Sequence, residues 1–149
     1  MSRPARIVLI LIGVVLFLAI SVMLAQILGV GGAERNASTR LIAAEARGDV
    51  GAMLRSIDGC AVTPRCRQLA VQNAARLRRP GHVQILNYAS SKSFSVGSTH
   101  GTARIAWRVP GRTPVVQCIE VHRNGNPITG FKVHLLSLGT PIRSDASCP

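Results

Sequence analysis

The sequence predicts an α+β domain carried behind a single apolar helix. Three observations predict it: a charge-free apolar run near the N-terminus, helical periodicity in the stretch after it, and a second half in which apolar and polar residues alternate. The chain has 149 residues, room for one domain. The portion after the apolar run is long enough to bury a core without metals or cofactors.

Residues 1–6 carry Arg3 and Arg6 and are expected to lie in the cytoplasm. The run Ile7–Leu28, IVLILIGVVLFLAISVMLAQIL, holds no charge. At a helical rise of 1.5 Å per residue it spans about 33 Å, close to the hydrocarbon thickness of a bilayer. A cleaved signal peptide is the rival. Its apolar core is usually about 7–15 residues and ends at a small-x-small site. Here the run is longer, and the nearest such site, Gly31-Gly32-Ala33, lies beyond it. We therefore expect an uncleaved signal anchor in the plasma membrane. Flanking charge does not orient it, because Arg35, Arg40 and Arg47 follow the run as Arg3 and Arg6 precede it.

The cysteines supply the orientation. Cys60, Cys66, Cys118 and Cys148 all follow the apolar run. An even number in a small domain behind a signal anchor favours disulfides, and with them an extracytoplasmic location. Of the three pairings four cysteines allow, Cys60–Cys66 and Cys118–Cys148 are favoured. The first closes a short loop between two helical stretches, and the second staples the tail to a strand. Zinc is disfavoured, since no C-x-x-C occurs and Cys118 and Cys148 stand far apart.

Residues 29–36 open with Gly29-Val-Gly-Gly32 and predict a flexible linker. Residues 37–138 form the expected domain. Leu41, Ile42, Ala44, Ala46 and then Val50, Met53, Leu54, Ile57 recur at helical spacing. Gly48 is placed to end one helix and Asp49 to cap the next. Thr63-Pro64 opens a third helix with Leu69, Ala70, Asn73, Ala74 and Leu77 on one face, stopped by Arg79-Pro80-Gly81.

Strands are predicted at His82–Ser90, Thr102–Val109, Val115–Arg123 and Ile128–Leu138, with a short piece at Lys92–Val96. Asn124-Gly125 predicts the last hairpin turn. Ala103, Ile105, Trp107 and Val109, then Val115, Ile119 and Val121, then Phe131, Val133 and Leu135 are expected to face inward. Arg104, Arg108, Cys118, Glu120, His122, Lys132 and His134 are expected to face outward, with Glu120 pairing to Lys132 or Arg104. Residues 139–149 form an aperiodic tail, which a Cys118–Cys148 bond would lay across the outer side of the sheet.

Helices followed by a curved antiparallel meander resemble the cystatin-like or nuclear-transport-factor-2-like (NTF2-like) fold. The segments Ser56-Ile-Asp-Gly-Cys60, Asn73-Ala-Ala-Arg-Leu-Arg-Arg-Pro-Gly81 and Pro114-Val-Val-Gln-Cys118 look like those of its membrane-anchored or secreted actinobacterial members. That resemblance implies an architecture. It does not imply an activity, because the fold hosts enzymes and non-enzymatic modules alike.

No catalytic set stands out. Enzymes of this fold use carboxylates inside the apolar cone. Here Glu34 and Asp145 are expected outside the packed elements, Asp49 at a cap, Asp58 at a turn and Glu120 on the outer face, leaving no inward pair of acids. Tyr88 is a candidate interior hydroxyl. His122 and His134 share a face on adjacent strands, yet only Glu120 offers a third ligand, so no metal site is expected. Asn36-Ala-Ser38 matches a glycosylation acceptor by chance, so close to the membrane. Ser90, Ser91 and Ser137 have no His-Asp partners at a recognisable spacing, and the glycines form no phosphate loop. No cofactor is implied.

Charge is lopsided, with 18 Lys+Arg against 6 Asp+Glu. Such a surface attracts anionic lipid, polymer or acidic protein. Aromatic residues make up 3% of the chain, too few to stack bases, which argues against nucleic acid. The expected function is a non-catalytic interaction module that binds a protein or an envelope component. The alternatives are a small-ligand-binding or enzymatic cone, and electrostatic docking to anionic lipid or envelope polymer through Arg76, Arg78, Arg79, Arg104 and Arg108.

Overall fold

A computed structural model of the protein describes residues 3–90, 99–126 and 130–148. Three helices, α1 (Arg3–Arg47), α2 (Val50–Ser56) and α3 (Pro64–Arg76), precede four strands. These are β1 (Gln84–Ser90), β2 (Thr99–Arg108), β3 (Val115–Asn126) and β4 (Gly130–Leu138). The strands pair in sequence order as an antiparallel meander, and the helices pack on one face of it.

The N-terminal half of α1 is an exposed apolar rod. Pro4–Ala25 is long and apolar enough to cross a membrane, and none of it is buried against the rest of the chain. The helix does not stop there. It continues without a break through Gly29–Gly32, where the sequence suggests a flexible linker, and becomes the central helix of the domain. Glycine lowers helix propensity by about 1 kcal/mol per residue. Tertiary packing downstream overrides that cost, because Leu41 and Ile42 are completely buried.

The end of α1 matches the sequence. Gly48 takes φ +74°, its N–H donates to the Glu45 carbonyl, and the Asp49 N–H donates to the Ala44 carbonyl. This closes the last turn around a left-handed glycine. Asp49 then caps α2 by accepting from the Ala52 N–H at 2.9 Å. Thr63 precedes α3 with Pro64 in its first turn, although the Thr63 hydroxyl donates back to the Gly59 carbonyl and does not cap.

The inward faces are those expected. Ala103, Ile105, Trp107, Val109, Val115, Ile119, Val121 and Leu135 are buried, and Val133 packs against them. Phe131 is half-buried. After α2 the chain bridges the outer edge of β4, with Ile57 beside Leu135 and the Asp58 N–H donating to the Leu135 carbonyl.

Two strand details differ from the sequence reading. Asn124 and Gly125 lie within the ladder, opposite Lys132 and Phe131, and the ladder continues to Asn126 opposite Gly130. Gly125 holds φ +125°, and a Cβ there would sit 2.2 Å from the Gly130 carbonyl oxygen. The glycine is needed for close strand approach and not for the turn itself. Glu120 stands opposite Thr102 and Ser137, away from Lys132 and Arg104. The short piece at Lys92–Val96 lies outside the described residues.

Both disulfides form as favoured. Cys60–Cys66 closes with Cα atoms 5.2 Å apart and Cys118–Cys148 with 5.7 Å. The second lays the tail over the outer face of the sheet. There Ile142 bridges Val116, and Arg104 donates to the Ser144 and Ala146 carbonyls.

Candidate functional site

The inner face of α1 is polar at intervals. Glu34, Ser38, Leu41, Ile42 and Glu45 recur at helical spacing, and all are at most 2% exposed. This overturns the expectation that Glu34 lies outside the packed elements and that no two acids point inward. Glu34 is placed inside because α1 is continuous through residues 29–36.

At the end nearer the apolar rod, Arg123 on β3 donates to Glu34 Oε2 at 2.6 Å, and the Tyr88 hydroxyl on β1 donates to Glu34 Oε1 at 2.7 Å. Arg123 Nη2 donates to the Ser90 hydroxyl at 2.7 Å, and Tyr88 also contacts the Ser38 hydroxyl at 3.3 Å. Burial pushes the Glu34 carboxyl up, but the hydrogen bonds from Arg123 and Tyr88 and the Arg123 charge outweigh it, leaving it below the usual carboxylate range. Burial raises the Tyr88 hydroxyl, and the Glu34 carboxylate adds to the effect. The interior hydroxyl anticipated at Tyr88 is therefore present, and it serves an ion pair.

A second cluster lies deeper. Gln117 on β3, completely buried, accepts from the Trp107 indole N–H at 2.8 Å and donates to Glu45 Oε1 at 2.9 Å and to the Gly139 carbonyl at 3.1 Å. Asn73 on α3 donates to the same carbonyl. Glu45 Oε2 has no hydrogen-bond partner among the described residues. Burial raises the Glu45 pKa to about 7, against the hydrogen bonds of Gln117 and Asn73. Gln117 occupies an inward position that the strand pattern Val115, Ile119, Val121 passes over. A polar residue flanked by inward apolar ones was the available signal.

The two buried acids do not form a catalytic pair. Eleven residues along one helix separate them by about 16 Å. The paired carboxylates of glycosidases stand about 5–9.5 Å apart.

On the outer face, His100, His122 and His134 lie side by side on β2, β3 and β4. His100 and His122 stack with centroids 4.4 Å apart, and His134 Nδ1 meets Asp58 Oδ2 at 2.5 Å. Among the described residues no group of His, Cys, Asp or Glu is arranged to hold a metal ion.

The arginines singled out in the sequence divide into two sets. Arg79 is structural: its N–H donates to the Ala46 carbonyl, its guanidinium donates to the Thr113 carbonyl, and it lies over the Trp107 ring at 5.8 Å. Arg104 is bound to the tail. Arg76, Arg78 and Arg108 are exposed. Arg78 runs over Gly48 at the end of α1, and Arg108 meets Gln84 at the start of β1. Exposed Arg47 and Arg112 join them at the same end of the domain.

No protein-family profile matches the chain, and neither a curated protein nor a solved structure does.

Proposed function

We propose that this chain is a membrane-anchored, extracytoplasmic and non-catalytic interaction module, held by α1 with Arg3 and Arg6 in the cytoplasm. The observation that carries it is the continuity of α1. One helix supplies both the exposed apolar rod of Pro4–Ala25 and the buried face of the domain. The domain is thus fixed to its anchor, which suits a part that presents a surface at a set height. Two disulfides support the oxidising side of the membrane. The layout keeps its resemblance to membrane-anchored cystatin-like or NTF2-like domains.

The buried polar groups favour this over the enzymatic or small-ligand cone. Trp107, Gln117 and Glu45 fill the deep interior with their own contacts, and Glu34 is held by Arg123. These acids are taken up by contacts within the fold, which leaves the exterior for recognition.

Two measurements test the proposal. Protease added outside sealed cells should digest the domain and spare the apolar segment; protection of the domain would reverse the orientation. Crosslinking followed by pull-down from detergent-solubilised membranes should return a specific protein or envelope component. Recovery of none would count against an interaction role.

A further inference from the structure

We propose that the arginine-rich end of the domain, Arg47, Arg76, Arg78, Arg108 and Arg112, docks an anionic envelope polymer at a distance from the protein's own membrane. This rests on the anchored-module reading and adds to it the surface and the partner.

The location follows from connectivity. α1 leads from the apolar rod to Arg47, so Arg47 lies at its far end. The α1 contacts run in order, Glu34 to Arg123, then Ser38 to Tyr88, then Glu45 to Gln117. β3 is therefore antiparallel to α1, with Val115 far from the membrane and Asn126 near it. β2 ends at Arg108, on the far side, where Trp107 pairs with Val115. Arg79 ties this end together by reaching both Ala46 and Thr113. From Ala25 to Arg47 the helix rises about 33 Å.

That height decides against lipid. The Debye length at physiological salt is about 8 Å, so headgroups below are screened by roughly three to four lengths. Acidic residues offset little of the charge at this end. Asp49 is the acid beside it and is committed to capping α2. Glu45 is buried, Asp58 pairs with His134, and Asp145 pairs with Arg143 at 3.3 Å.

The surface chemistry favours a polymer. Guanidinium groups bind phosphate or carboxylate in a planar fork. Two concave surfaces of the domain are lined by His100, Glu120, Leu136, Met53 and their neighbours, away from these arginines. Five exposed guanidinium groups spread over one end suit many contacts with a repeating ligand. Protein hot spots combine Trp and Tyr with Arg in well-packed pockets. Trp107 is the aromatic ring at this end, and it is completely buried beneath Arg79.

The test uses the full-length protein in nanodiscs of neutral phosphatidylcholine, with fluorescent linear polyphosphate and poly-glutamate of matched charge as probes. The triple variant R78Q/R108Q/R112Q should weaken binding of a polymer at least tenfold at low salt. It should also reduce the slope of log affinity against log salt, by roughly one per lost contact or less. The membrane-proximal pair R35Q/R40Q should change affinity less than twofold. Unchanged Trp107 fluorescence and non-reducing mass establish that the variants are folded. Whether polyphosphate or poly-glutamate binds more tightly tells a phosphate-bearing polymer from a carboxylate one. No polymer binding, equal loss in the proximal pair, tighter binding to duplex DNA at matched charge, or competition by anionic lipid within the same nanodisc would each overturn the assignment. Those failures leave the protease and crosslinking outcomes untouched, so the two proposals fall separately.

Discussion

Glu45 offers the sharpest test of the interior. Its carboxyl is completely buried, held at one oxygen by Gln117, and raised from 4.5 to about 7. Between those values the folded state holds a proton that the unfolded state has released. Stability is therefore full below about pH 4.5 and falls as pH rises through 7. At 1.36 kcal/mol per unit, the loss amounts to about 3 kcal/mol. Glu45→Gln keeps the shape and the acceptor for Gln117 but cannot ionise. Its amide nitrogen replaces Oε2, which has no partner among the described residues, at a cost of about 1–3 kcal/mol. The variant should be less stable than the parent at pH 4.5 and match or exceed it at pH 8, the difference between them moving by about 3 kcal/mol. The assay is urea unfolding of the full chain in neutral detergent, followed through its single tryptophan, Trp107, which shares the Gln117 network. Parallel stability profiles for the two proteins between pH 4.5 and 8 would refute the buried, proton-holding acid.

Further outcomes are expected from the same measurement. Arg123→Ala strands the buried Glu34 carboxylate and should cost about 3–5 kcal/mol at pH 7; because the Glu34 pKa is lowered, the loss should shrink as pH falls below 4.5. Cys118→Ala/Cys148→Ala opens a 30-residue span and should lower stability by about 3.5 kcal/mol, against about 2 kcal/mol for the 6-residue span of Cys60–Cys66.

The order of elements, the disulfide pairing and most inward strand positions are legible in the sequence, because periodicity and cysteine spacing are local signals. The interior polar groups are not. Glu34 reads as a linker residue as long as Gly29–Gly32 is taken to end the helix, and only its spacing to Ser38, Leu41, Ile42 and Glu45 betrays a continuing face. Its partner Arg123 is 89 positions away, so no local pattern pairs them. The hairpin turn departs from its sequence signal for a related reason. Asn124-Gly125 carries a strong turn signal, but Gly125 is spent on the close approach of Gly130. Of the arginines, sequence clustering marked Arg76, Arg78 and Arg79, while the fold removes Arg79 to the core margin and brings in Arg47 and Arg112.

If α1 anchors the domain as proposed, its continuity also bears on which partner the basic surface would meet. A flexible tether of eight residues has a root-mean-square span of about 16 Å and no preferred direction. On such a tether the domain would tumble, and its arginines would sample the anionic headgroups beside it. A helix instead fixes both height and orientation. It keeps the Glu34–Arg123 pair at the near end and the exposed arginines at the far end. Ion pairing across three or four Debye lengths is negligible, so the same charge that would fold a tethered domain down onto lipid is directed outward. The buried ion pair holds the start of the domain's central helix to β3, and parting the two there would expose a desolvated carboxylate and guanidinium.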